Sequence, residues 1–357
     1  MSRLVRQQHI LFYSLLAAAT FAAATLALAM GPVNIPYKTV VLAVARRVPG
    51  LGGIEASLPP AWETIIFDIR LPRVLLACVV GASLSAAGVA FQGLLRNPLA
   101  DPYITGVSSG AALGAVIAIL TGIPLVFSRY GLALLGRATI PAMAFLGGIG
   151  SVYAVLYLSR VDGRLPVDTF LLAGVVVGSF LWAVISFLMT LSGKALHEIV
   201  FWLMGSLSGR GWDDLWMALP WSIAGVAALY LFSRDLNILA LGEEQAWQLG
   251  VEVEWSKLLI VLTSAMLTAS AVAVSGIIGF IGLVVPHMTR IIVGPDHRLL
   301  LPTSLLSGAL FLVAADTLAR VILPPVEIPV GVITAMVGGP FFLYLLKEAK
   351  RHDTLRG

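Results

Sequence analysis

The chain has 357 residues, 59% of them hydrophobic and 12% charged, with a formal net charge of +4. Soluble domains run near ~45–50% apolar and ~25% charged, so this balance, with a mean hydropathy of +0.95, excludes a water-soluble globule and a disordered chain. A single cysteine, Cys78, excludes an internal disulfide and a cysteine-rich metal site, and basic residues set singly between apolar runs argue for membrane flanks and against nucleic acid.

A bilayer-spanning helix needs ~20 mostly apolar residues. Runs of about that length fall at 10–30, 74–95, 103–120, 138–159, 169–191 and 215–232, then 258–286, 299–315 and 330–346. The first has Arg3 and Arg6 ahead of it and Ala27-Leu28-Ala29 near its end, as a signal peptide does. Its apolar stretch is too long for one and many spans follow, so it reads as a span. The 258–286 run is too long for one span and short for two; Gly276, Gly279 and Gly282 inside it mark a tight turn between two helices. The expectation is an all-α integral membrane protein, one transmembrane domain over 1–357 with about ten spans in the lipid bilayer. Ten spans put both termini on one side. Arg3 and Arg6 before the first, and KEAKR after the last, place that side inside.

Of the basic residues on the other side, three draw notice: Arg70 and Arg73 at the mouth of the second span, and Arg320 at the end of the ninth. Such arginines form a ring that docks carboxylates, or they snorkel to the interface; spacing alone leaves both open. Asp316 lies four residues before Arg320, so the two can pair on one helix face. Gly106, Gly110 and Gly114 repeat every four residues, a small-residue face for close helix packing along which a permeation path could also run; Gly174 and Gly178 repeat the device.

Several segments are not spans. Residues 32–66 carry Pro32, Pro36, Pro49, Pro59 and Pro60 and read as an external segment. In 192–213, Phe201, Trp202 and Trp212 suggest a short interfacial helix. In RNPLADPYITG (96–106), Asn97-Pro98 and Asp101-Pro102 stop the preceding helix and fix a rigid turn beside Arg96. The inside loop 234–257 holds a short amphipathic stretch bracketed by Gly242 and Gly250. Leu241, Ala246 and Leu249 are expected on one side, and Glu243, Glu244 and Gln248 on the other, either as a plug for a partner's groove or as a solvated connector.

There is no G-x-x-x-x-G-K-[ST] and no H-E-x-x-H, and the five histidines stand at no ligand spacing. An intramembrane enzyme needs a convergent site, and an ion-coupled secondary transporter needs buried ionisable groups at mid-membrane; the spans offer little beyond Asp316 and His287. A route for a bulky neutral or shielded solute, powered from elsewhere, fits better than either.

RLPRVLLACVVGASLSAAGVAFQGLLRNPLADPYITGVSSGAALGA (70–115) resembles the signature region of the FecCD-type permeases of ABC importers for iron-siderophore, haem and cobalamin. LALGEEQAWQLGV (239–251), SGIIGFIGLVVPHMTRIIVGPDHRLLLP (275–302) and ADTLAR with EIPVGVITAMVGGPFF (315–342) agree in order. The resemblance implies a type II ABC importer permease of ten helices in the cell (inner) membrane, paired with a second copy of itself. It implies two ATP-binding subunits that use ATP and Mg, an extracytoplasmic substrate-binding protein, and no cofactor held by this chain. It also implies docking of the binding protein on Arg70, Arg73 and Arg320. The ATPase would be coupled through Gly242, Glu243, Ala246, Leu249 and Gly250, with Arg96, Asn97, Pro98, Asp101 and Pro102 facing the same side. Iron-siderophore leads as the commonest cargo of such permeases; cobalamin or haem is the alternative, and an ATP-independent transporter the remote one.

Overall fold

The structure, a computed structural model, describes residues 3–47 and 59–354. The middle of the expected external segment, 48–58 with Pro49, lies outside the described residues. The helices in chain order are α1 (Arg3–Ala29), α2 (Tyr37–Arg46), α3 (Pro60–Leu94), α4 (Val107–Thr121), α5 (Ile123–Arg129), α6 (Ala133–Ser159), α7 (Val167–Leu191) and α8 (Leu196–Leu203). They continue with α9 (Trp212–Leu231), α10 (Ser233–Leu239), α11 (Glu243–Gln248), α12 (Val253–Ser275), α13 (Ile281–Val293), α14 (His297–Val321) and α15 (Val330–Thr354). The fold is all-α, and the expected interfacial helix is α8.

Every apolar run of the sequence is helical, and the long one does split, between Ser275 and Ile281. Helix length and composition do not by themselves confirm the count of about ten crossings. Among the described residues seven helices are long and apolar enough to cross a membrane, or eight if α4 and α5, bent by 50°, form one span. The helices α13 and Val330–Tyr344 are the shorter apolar ones. At ~1.5 Å per residue α13 rises about 20 Å, short of the ~30 Å hydrocarbon core, because it starts inside the protein instead of at a surface.

That start is held by polar contacts from two directions. Gly276 takes a left-handed φ of +70°. The Ser206 N–H donates to the Ser275 carbonyl at 2.7 Å. The Tyr103 hydroxyl donates to the Ile278 carbonyl at 2.9 Å and accepts from the Ile278 N–H at 3.3 Å. Irregular backbone at such depth survives only where the protein satisfies it.

Helix α3 is the hub: 78% of its most apolar window is buried, against 11% for α7, which faces outward along its length. It packs on α9, α12, α13 and α14. Its 35 residues begin at Pro60, so 60–66, expected outside the span, belong to the same helix, wound as a π-helix over Ile65–Arg70. Glycines set the closest approaches: a Cβ on Gly88 would collide with the Gly282 backbone of α13.

Candidate functional site

Most sequence-derived candidates gather at two levels of α3, one near Arg73 and one beyond Leu94. From Arg73 to Leu94 the helix rises about 30 Å, one hydrocarbon thickness.

At the first end Arg70, Arg73 and Arg320 meet, but they turn inward: they are 4%, 7% and 3% exposed, and Asp316 is 1% exposed. Arg73 grips Asp316 with two nitrogens, Nη2 to Oδ1 at 2.9 Å and Nε to Oδ2 at 3.1 Å, and reaches Glu327 with Nη1 at 2.9 Å. The expected i,i+4 pair exists, with Arg320 Nε 3.2 Å from Asp316 Oδ2. The remaining donors cap α1. Arg320 donates to the Ala27 and Met30 carbonyls at 3.2 Å each, and Arg70 to Leu28 and Ala29 at 2.7 and 3.0 Å. These are the last carbonyls of α1, which have no partner within the helix and sit at its negative end. Each guanidinium is thus committed inside the fold, where spacing had left a docking ring and interfacial snorkelling both open. Nothing local in the sequence pointed to Glu327. Burial alone would lift its carboxyl, but Arg73 and Ser208 hold it below the ordinary carboxylate range.

At the other end, RNPLADP forms the rigid turn the prolines required. Arg96, Asn97 and Pro98 are exposed and Pro102 is buried. Asn97 Oδ1 accepts the Leu99 N–H at 2.9 Å, and Asp101 Oδ1 accepts the Tyr103 N–H at 2.8 Å. Burial pushes the Asp101 carboxyl up to about 6, with the Tyr103 N–H working against it. Gly106 lies outside the helix of the expected glycine face: at φ +77° it turns the chain into α4. Gly110 and Gly114 do lie on α4, against the Gly147 and Met143 backbones of α6.

The bracketing glycines take φ +127° (Gly242) and +82° (Gly250), and α11 between them is six residues long. Ala246 is fully buried, whereas Leu241, Trp247 and Leu249 are 63%, 73% and 54% exposed. This corrects the expected grouping of Ala246 with Leu241 and Leu249: under two turns with a reversal at each end put them on different sides. The exposed apolar set includes Trp247, which the sequence reading passed over. It also passed over Lys257, 3% exposed, whose Nζ lies 2.7 Å from Glu243, 3.1 Å from Glu254 and 3.2 Å from the Leu165 carbonyl. A lysine three residues after Glu254 was the available signal.

Several apolar helices of spanning length and a helix broken inside the protein define a multi-pass membrane protein. A family model described as the FecCD transport family matches residues 17–348. An uncharacterised ABC transporter permease protein of Bacillus subtilis is 45% identical, over 91% of this chain and 90% of its own. The cobalamin import permease of Halobacterium salinarum is 43% identical, over 88% and 80%. A solved structure described as an inward-facing metal-chelate type ABC transporter superposes with a TM-score of 0.79 at 32% identity, covering 94% of this chain and 99% of that one. The chain belongs to the FecCD transport family.

Proposed function

We propose that the chain is the permease of an ABC importer that carries a metal chelate, in the first instance an iron-siderophore complex. Two copies form the path, separate ATP-binding subunits hydrolyse ATP, and a substrate-binding protein delivers the cargo. The observation that carries this reading is the apolar set Leu241, Trp247 and Leu249, held outward on a helix anchored by Ala246. Exposed apolar side chains on a charged loop between membrane helices fit a partner's groove.

This end is assigned to the cytoplasm together with both termini. The Tyr13 hydroxyl of α1 donates to the Leu299 carbonyl at the start of α14, beside Asn237 and Asp296 of the same end, so α1 begins there. The binding protein then meets the opposite end. There Arg70, Arg73 and Arg320 would hold the docking surface in shape from beneath.

Uptake in cells with the permease deleted and restored tests the function, with labelled iron-siderophore and labelled cobalamin offered in parallel, with and without ATP depletion. Energy-dependent iron uptake on restoration is the expected result. Identity to a cobalamin permease favours a second reading, and restored cobalamin uptake without iron would select it. Uptake that survives ATP depletion would remove the importer reading.

A further inference from the structure

We propose that Lys257 is a positioning residue that locks α11 to the start of α7, so that a force applied to α11 reaches that helix as well as α12. The proposal rests on the reading of α11 as the segment that meets the ATPase.

Three elements converge on one ammonium. Glu254 and Lys257 stand at the foot of α12, Glu243 opens α11, and Leu165 ends the loop that leads into α7. Lys257 donates to Glu254 at 3.1 Å and to the Leu165 carbonyl at 3.2 Å, and its Nζ forms an ion pair with Glu243 at 2.7 Å. Glu254 returns along the same line and accepts the Leu165 N–H at 2.6 Å. The loop is itself stiff, since Val161 and Arg164 exchange backbone hydrogen bonds of 3.1 and 2.9 Å.

The arrangement exceeds what a buried lysine needs. Glu254 and the Leu165 carbonyl already hold the ammonium on α12. Glu243 has a side chain 45% exposed and could be served by water, yet it reaches in to the buried nitrogen. The other anchors of α11 are apolar, Ala246 and Val251, and apolar contact is non-directional. With a glycine at positive φ on each side, α11 can swivel on such contacts; an ion pair to a fixed nitrogen limits that swivel. The exposed Trp247 and Leu249 lie at the far end of α11, so a push there acts about an anchored start. The pull arrives at α7, the spanning helix with the least burial, and a cleft of about 240 Å³ between Leu165 and Trp255 leaves the loop room to move.

The test uses the complete transporter in liposomes, and it reads labelled cargo moved per ATP hydrolysed. Lys257→Met is expected to lower that ratio about tenfold, within the ~5- to 150-fold span of a typical coupling free energy, and Lys257→Arg to recover most of it. An unchanged ratio in Lys257→Met overturns the proposal. A second measurement leaves the clamp intact and so does not depend on the folding of any clamp variant. In a Cys78→Ser background, spin labels at Arg160 and Glu244 are compared with labels at Arg96 and Glu244, before and after ATP binding. The first distance is expected to hold while the second changes; a first distance that changes as much as the second overturns the proposal. Leu249→Asp, run alongside, separates the two failures. If it leaves the ATPase bound and coupled, the reading of α11 falls and takes the clamp with it. If it detaches the ATPase while Lys257→Met keeps its ratio, the clamp alone falls.

Discussion

The two ends of α3 invert their own composition. At the arginine end, three guanidiniums and two carboxylates that would be expected in water are folded inward around α1 and α14. At the opposite end, leucines and a tryptophan that would be expected in the core stand outside on α11. The first arrangement ties α1, α3 and α14 together with charge. The second leaves apolar surface uncovered in a chain that has plenty of interior for it. Charge turned in serves the fold, and apolar surface turned out serves a partner, so damage at one end should be read as lost stability and at the other as lost assembly.

The largest expected effect is at Asp316. Asp316→Ala leaves Arg73 and Arg320 buried without their shared carboxylate and is expected to cost about 3–5 kcal/mol. Thermal unfolding of the purified permease in detergent measures it. A loss confined to binding-protein-stimulated activity, with stability intact, would break the comparison. Gly114→Val comes next: its side chain would enter the Met143 backbone, with an expected loss of about 1–3 kcal/mol in the same assay.

The turn that carries Asp101 contributes a smaller effect with a definite sign. Its carboxyl titrates near 6 in the fold and near ~4 in the unfolded chain, so the folded state keeps the proton longer. Stability is therefore highest below pH ~4, falls between ~4 and ~6, and is level above. Asp101→Asn keeps an acceptor for the Tyr103 N–H and is expected to flatten that slope; unfolding followed across this range checks it. Smallest for stability is Leu249→Asp at an exposed site, expected within about 0.5 kcal/mol, but co-purification with the ATP-binding subunits should be lost. A complex that survives purification would remove the outward patch from the mechanism.

Much of this was legible in the chain. Apolar runs of spanning length were found as helices, two of the three turn glycines, 276 and 279, fell in the break of the long run while Gly282 lies inside α13, and Asp316 with Arg320 kept the i,i+4 pairing that helix geometry demands. The Asn-Pro and Asp-Pro steps predicted the turn at 96–102, because proline forbids the preceding residue a helical backbone. Other features had no local signal. Arg73 finds Asp316 across 243 positions and Glu327 across 254. Lys257 finds the Leu165 carbonyl across 92. The facing of α11 could not be read by periodicity, since six residues between two glycines at positive φ have no continuous stripe.

The sequence alone determined that this is a membrane protein, which apolar runs are helical and where prolines turn the chain, because those properties follow from composition, period and backbone sterics within a few residues. Only the tertiary structure decided how many helices are long enough to cross, whether the arginines face in or out, and what α11 presents. Those depend on where distant segments meet, and a buried charge or an exposed tryptophan is defined by its neighbours in space.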